Sequence, residues 1–319
     1  MSALVAYRGI VLSDNIDDYP EGIILPVDKP YRWTSADVIR KVKYQAIKHF
    51  HKKNLKVGHA GTLDPLATGV LLVCIGKATK LAESLQASPK QYLAGVSFGA
   101  TTPSYDLEKE IDKEYPLDGV SRETVEGILT SFVGEQDQVA PLFSAKSVDG
   151  VRAYETARKL FKQGRLEEGS DILQASRINI YGLSLEEFIS AEASTSENAS
   201  LRSAPPTSGP LPLTMPRVAR FSEVGASAVV TAEEPEPSSA GNVNRRNDRI
   251  HVASVEGYRL ATAMIRVDCS KGTYIRALAR DLGEALGSGA FLSSLRRTVN
   301  GGIAVEDALA MEGLPFTNS

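Results

Sequence analysis

The run GHAGTLDPLATGVLLVCIG, residues 58–76, joins two unlike halves. Its second half, Val70 to Ile75, is an uninterrupted apolar run with the length of a buried strand. Its first half carries three glycines, which let a backbone approach its neighbours closely, and the pair Asp64-Pro65. Asp-Pro starts a single helical turn, with the carboxylate as cap and proline at the first position. Taken alone, Asp64 is a capping residue.

Upstream, the stretch from Val38 to Leu63 contains no acid, while Arg40, Lys41, Lys43, Lys48, Lys52, Lys53 and Lys56 supply seven positive charges. Ser35 suits the cap of a helix here and Asp37 its first turn. Val38, Ile39, Val42, Ala46, Ile47 and Phe50 form its apolar face, and Lys41, Lys48 and Lys52 fall together on another. Downstream, helices are expected at Thr79 to Gln86, Arg122 to Phe132, Arg152 to Phe161 and Tyr274 to Leu286. Long strands are expected at Arg177 to Phe188 and Tyr258 to Cys269. Tyr92, Ala94, Val96 and Phe98 alternate with Gln91, Leu93, Gly95 and Ser97, the period of a strand with one buried face. Without a regular βαβ rhythm, the expected class is α+β, a mixed and largely antiparallel sheet flanked by helices.

The stretch 190–249 differs in kind, with seven of the 16 prolines and a single aromatic, Phe221. It cannot bury enough surface to offset its ordering entropy, and it lies between two strand-like segments. It is therefore expected as a disordered insertion in a loop. The implied organisation is an extension over 1–20, a single catalytic domain built from 21–189 and 250–312, the insertion at 190–249, and a tail at 313–319.

The composition, 42% hydrophobic and 24% charged, is that of a folded protein, and it contains no apolar run long enough for a membrane helix. The acids near the N-terminus do not fit a signal peptide, so a cytoplasmic location is expected. Two cysteines, Cys74 and Cys269, exclude a disulfide framework and a multi-cysteine metal site. Gly76-Lys77-Ala78 lacks the serine or threonine of a phosphate loop, and no histidine joins His59 and Asp64 at ligand spacing. Neither a metal nor a cofactor is expected. A net charge of −3 argues against a nucleic-acid partner, but the acid-free stripe argues the other way locally.

The segment GHAGTLDPLATGVL resembles the catalytic signature of the TruB family of bacterial tRNA pseudouridine synthases. The resemblance extends to EGIILPVDKPYRWTSADVIRKVK, IGKATKLAESLQASPKQYLAGVSFGATT, QVAPLFSAKSVDGVRAYETAR, DCSKGTYIRALARDLGEALGSGAFLSSLRRT and GGIAVEDAL. It implies the pseudouridine-synthase catalytic fold, and isomerisation of uridine 55 in the T stem-loop of tRNA with Asp64 catalytic. The target base must be extruded into a pocket first. His59 matches the histidine that packs where the base had been, and Tyr92 the tyrosine on which the base stacks. Arg276 matches the arginine that pairs with the aspartate, Tyr274 a pocket tyrosine, and Leu295 an apolar wall. Lys29, Lys80 and Lys271 fall on basic positions suited to phosphate contacts, as do Lys41, Lys48 and Lys52 of the basic stripe.

Four features depart from the family pattern: Arg32 stands where glycine is usual, the segment Pro103 to Asp106 differs, the insertion at 190–249 is atypical in length, and the C-terminal PUA-type domain of many members is expected to be missing. No obligate protein partner is implied. The competing readings are a tRNA-binding folding assistant and a guide-RNA-dependent synthase of the box H/ACA type. The presence of Asp64, Tyr92 and Arg276 together favours an enzyme, and the expected lack of the PUA-type domain argues against the guide-dependent class.

Overall fold

The computed structural model describes residues 2–148, 150–191 and 250–316. From residue 192 onward, the expected disordered insertion lies outside the described residues, as does the end of the tail. The chain opens with β1 (Leu4–Val5), β2 (Ile23–Lys29), α1 (Ser35–His49), β3 (Val57–His59) and β4 (Ala67–Ile75). A 3-10 turn, Gly76–Leu81, leads into α2 (Ala82–Ala87), then β5 (Lys90–Phe98), β6 (Ala100–Thr101), β7 (Lys113–Glu114) and α3 (Arg122–Leu129). Next come β8 (Gly134–Gln138), β9 (Ser147–Val148), β10 (Val151–Arg152), α4 (Ala153–Lys162) and β11 (Ser176–Ile189). The chain closes with β12 (Ala261–Cys269), α5 (Ile275–Ala285), β13 (Ala290–Asn300) and β14 (Ile303–Ala304).

These elements form two compact units. The first holds the described residues up to Gln91, Ile250 and those from Arg296 onward; the second holds Tyr92 to 191 and His251–Leu295. Strands β5 and β13 contribute residues to both.

In the first unit β1 runs parallel to β2, while β2 and β3 pair antiparallel with β4, and the last part of β13 and β14 complete the sheet. All nine residues of β4 are buried, because both faces of the strand are covered. Leu71, Val73 and Ile75 pack with Val38, Val42, Ala46 and Phe50 of the α1 segment, whereas Val70, Leu72 and Cys74 meet Ala60, Ala78 and Leu85. That double burial explains why the strand reads as continuous apolar sequence rather than as an alternation. Helix α1 is capped by Thr34 rather than by Ser35. The Thr34 hydroxyl accepts from the Asp37 amide and the Asp37 carboxylate answers the Thr34 amide, a reciprocal capping box. Ser35 is thereby released for another task.

In the second unit β8, β11 and β12 form an antiparallel meander beside β5. Strand β5 departs from the expected single buried face, since all nine of its residues are buried. Its polar members are accommodated by partners: Ser97 Oγ lies 3.1 Å from Thr262 Oγ1 on β12. Alternation of residue size, with Gly95 and Ser97 as the small members, imitates a solvent face here. Helix α5 buries Ile275, Leu278, Ala279 and Leu282 as expected.

Mixed strand pairing with helices against the sheet makes the protein α+β. No helix among the described residues is long and apolar enough to cross a membrane. Arg32, at the position where the resemblance expects glycine, has φ 61°, a left-handed conformation natural to glycine. It is held there by donation from its Nη2 to the Ile250 carbonyl, 2.7 Å.

Gly69 is tightly constrained. Its φ is 102°, and a methyl group on its Cα would sit 2.1 Å from the backbone oxygen of Arg297. Gly69→Ala is therefore expected to destabilise the protein by at least about 2 kcal/mol, combining backbone strain with a clash against a strand that cannot move. Urea unfolding measures it, and a loss below about 0.5 kcal/mol would contradict the close approach.

Candidate active site

Asp64 sits, half-buried, on a tight turn in which the Ala67 amide donates to the Asp64 carbonyl at 3.1 Å, just before β4 begins. Proline at the next position fixes φ for such a turn. The turn is pinned from every side within the first unit. Leu63 donates its amide to Ser35 Oγ (2.9 Å), and Ser35 returns its hydroxyl proton to the Leu63 carbonyl (3.1 Å). The Gly69 amide donates to Asp28 Oδ1 at 3.1 Å. Arg296 grips Asp28 with two nitrogens, at 3.2 and 2.8 Å, and also donates to Thr68 Oγ1.

Lys29 corrects the expectation of a phosphate contact. It is fully buried, and its ammonium donates to the carbonyls of Pro30, Trp33 and Pro65 at 3.0, 2.5 and 3.2 Å. A buried side chain with three fixed carbonyl acceptors has no reach toward RNA; it fastens the residue next to Asp64. Burial pulls its pKa down to about 7, against the opposing pull of the Asp64 carboxylate. The three acceptors match the three protons of the charged form.

His59 closes β3 opposite Val73 of β4. Burial, reinforced by the charge of Arg297, holds its pKa below the ordinary histidine value, so the ring is neutral near pH 7. Its buried Nδ1 has no hydrogen-bond partner among the described residues.

In the second unit Arg276 stands at the start of α5, 5% exposed. It donates to the carbonyls of Ser104 (3.1 Å) and Phe143 (2.9 Å), and its Nη1 lies 3.5 Å from Asp106 Oδ2. Asp106 in turn accepts from the Ser104 hydroxyl and the Glu108 amide. Sequence reading passes over Asp106, which lies in the segment that departs from the family pattern. Its signal was the Ser104-x-Asp106 spacing, which lets a serine hydroxyl orient a buried carboxylate. Tyr274 caps α5 and donates its amide to Gln138 Oε1 at 2.9 Å. Tyr92 is buried on β5 and Leu295 half-buried on β13.

Lys41 and Lys48 project from exposed positions of α1, with Lys48 Nζ 4.8 Å from the ring centre of the exposed Tyr44. Lys52 departs from the expected helical face, because α1 ends at His49; it lies in the turn beyond, 3.4 Å from Asp17. Lys80 and Lys271 are exposed. Among the described residues no group of three histidine, cysteine or acidic side chains is arranged to hold a metal ion.

A family model described as TruB family pseudouridylate synthase (N terminal domain) matches residues 48–199. A protein of Phocaeicola vulgatus named tRNA pseudouridine synthase B is 39% identical over 298 residues, covering 93% of this chain and 94% of the relative. The chain belongs to the TruB family of pseudouridylate synthases. Like-named relatives of Bacteroides thetaiotaomicron and Thermus thermophilus are 40% and 36% identical, over 92% and 90% of this chain and 92% and 76% of theirs. A chain from the crystal structure of a Cbf5-Nop10-Gar1 complex matches with TM-score 0.51 at 20% identity, over 98% of this chain and 60% of that one. That likeness concerns the fold, and this chain spans less than two thirds of the solved relative. The neutral His59 and the firmly held Asp64 turn lie inside the stretch that the family model matches.

The lowered pKa of His59 has a consequence for stability. The unfolded chain takes up this proton at about pH 6.5, whereas the folded chain does so only at lower pH, so the unfolded state binds more protons in between. Stability therefore falls as pH drops below about 6.5, and His59→Gln is expected to remove that component. Urea unfolding of both proteins at about pH 7.5 and pH 5 checks it. A difference between them that does not change with pH would refute the shift.

Proposed function

We propose that this chain isomerises uridine 55 in the T loop of tRNA to pseudouridine, with Asp64 as the catalytic residue. Pseudouridine synthase activity is the activity of its family; the position in tRNA and the residue roles are the further content of the reading. The observation that carries it is the Asp64 turn, a carboxylate whose flanking backbone is fixed by buried donors on both sides.

The reaction requires that the C1′–N1 bond break, that the uracil turn while held, and that C5 bond to C1′. A carboxylate beside the sugar serves by acting covalently on the extruded nucleotide or by assisting removal of the C2′ proton. Both roles demand a carboxylate in a fixed place, which the braced turn supplies. By resemblance, His59 fills the place the base leaves, and a neutral ring suits that role better than a charged one, since stacking in an RNA loop excludes water. Tyr92, Tyr274 and Leu295 are the proposed walls of the uracil site, and Arg276 the proposed partner of Asp64. Atoms balance without oxidant, reductant or added group, so the reading needs no cofactor. The cytoplasm, where tRNA is processed, is the proposed location.

Asp64→Asn keeps the size of the side chain while removing its charge. It is expected to fold like the parent and to lose at least about a thousandfold in rate, measured by tritium release from tRNA labelled with [5-³H]uridine. A transcript with cytidine at position 55 should release none. Activity of the Asn variant within about threefold of the parent would sink the assignment.

RNA phosphates are expected to meet the exposed face of α1, because an acid-free surface attracts anions whatever the net charge. Replacing Lys41, Lys48 and Lys52 with Gln should weaken binding of all tRNAs and lower the salt slope by about two rather than three. Lys52 already faces Asp17 and contributes least. Turnover at saturating tRNA should persist. An unchanged affinity and slope would show that this face is merely solvated.

A further inference from the structure

Arg297 is 2% exposed on β13, and its guanidinium is directed at three backbone carbonyls. Nε donates to Val70 at 2.7 Å, Nη1 to Thr62 at 3.3 Å and Nη2 to Gly61 at 3.3 Å. Its neighbour Arg296 has the same side chain but points to the other side of the strand, where it forms a two-pronged ion pair with Asp28. Among the described residues Arg297 has no carboxylate within ion-pair distance. Burying a cation against carbonyls alone is costly, and neutral donors would satisfy the same carbonyls at lower cost, as Ser35 does for Leu63. What a neutral donor lacks is the planar fork, which can hold two separate chain segments in one rigid geometry.

Those segments are the two arms of the catalytic turn. Gly61 and Thr62 precede Asp64, and Val70 follows it within the buried strand. The backbone of Arg297 completes the grip, because it lies against Gly69 so closely that a Cβ there would meet its carbonyl oxygen. We infer that Arg297 is a positioning residue for catalysis, clamping both arms of the turn so that the Asp64 carboxylate is held where the sugar will lie. The inference rests on the reading of Asp64 as the catalytic residue. Among the described residues the hydrogen bonds of Arg297 go to peptide groups of the turn, so it acts on the chemistry by placing Asp64 rather than by touching substrate, while its charge also bears on His59 and Lys29.

The test compares Arg297→Met, which fills the space without donors, with Arg297→Lys, which keeps the charge but reaches fewer carbonyls. Single-turnover pseudouridine formation at saturating tRNA, tRNA affinity and thermal melting are measured for each, below the onset of unfolding. Displacement of a reacting group by about 1 Å costs on the order of a hundredfold. The Met variant is therefore expected to lose about a hundredfold in rate at saturation, with affinity within about threefold of the parent and the Lys variant between the two. A residue that merely stabilised the fold would lower the melting temperature and leave the rate of the folded enzyme unchanged. A rate within about threefold of the parent in the Met variant, or in the Lys variant should Met not fold, overturns the inference. An equal loss in rate for an active-site-distant variant of matched melting temperature would overturn it too. Asp64→Asn run alongside separates the two failures: an active Asn variant removes the reading of Asp64, and with it the role of Arg297. An inactive Asn variant beside an active Met variant removes only the role of Arg297.

Discussion

Strand β4 has no solvent face, and the first unit is organised around that fact. Every residue from Ala67 to Ile75 is buried, with α1 covering one side and the segment around Leu85 the other. A strand in that position needs hydrogen-bonding neighbours along its edges, because an unpaired peptide group away from water is expensive. Strands β2, β3 and β13 meet that need. The turn that feeds β4 inherits its rigidity, which is why a functional carboxylate can stand at its head without being part of a regular element.

Rigid strands create a second demand. The turn from Gly61 to Gly69 brings peptide groups into a crowded region where water does not reach them all. They are met by side chains from three elements: Ser35 from α1, Asp28 and Lys29 from β2, and Arg297 from β13, while Arg296 of β13 holds Asp28 and the Thr68 hydroxyl. Three of those five are cations, and only Arg296 has its charge matched by an acid within ion-pair distance among the described residues. Lys29 and His59 are both held less basic than usual, by burial first and by the charge of Arg297 in addition. One set of hydrogen bonds thus serves folding and chemistry together: it satisfies the backbone and fixes the turn that carries Asp64.

In the second unit the buried Arg276 follows another rule. Its guanidinium has carbonyls for two of its contacts and Asp106 near a third, so its charge is countered as well as hydrogen-bonded. Ser104 and the Glu108 amide hold Asp106 in turn, which fixes the arginine through a second layer of contacts. At the surface, the charge of α1 is uneven. Asp37 is tied to the cap and to Arg40, while Lys41 and Lys48 stand in solvent around an exposed tyrosine.

The local and periodic features were determined by the sequence itself. The apolar face of α1 and the apolar stretch Val70 to Ile75 of β4 follow from residues near one another in the chain, as does the buried face of α5, because helical and strand periods impose them whatever surrounds them. The signature around Asp64 was legible for the same reason. What tertiary structure alone decided is the assignment of partners. Ser35 looks like a cap and is a brace; Lys29 looks like an anion ligand and is a backbone anchor. Arg296 and Arg297 are identical neighbours, yet one pairs with a carboxylate and the other clamps a turn. Strand β5 shows alternation and is buried on both faces. A long polar side chain reaches several ångströms, and its role is set by whatever distant segment the sheet brings within that reach. Strand register and pairing across hundreds of residues decide that, and no local pattern records it.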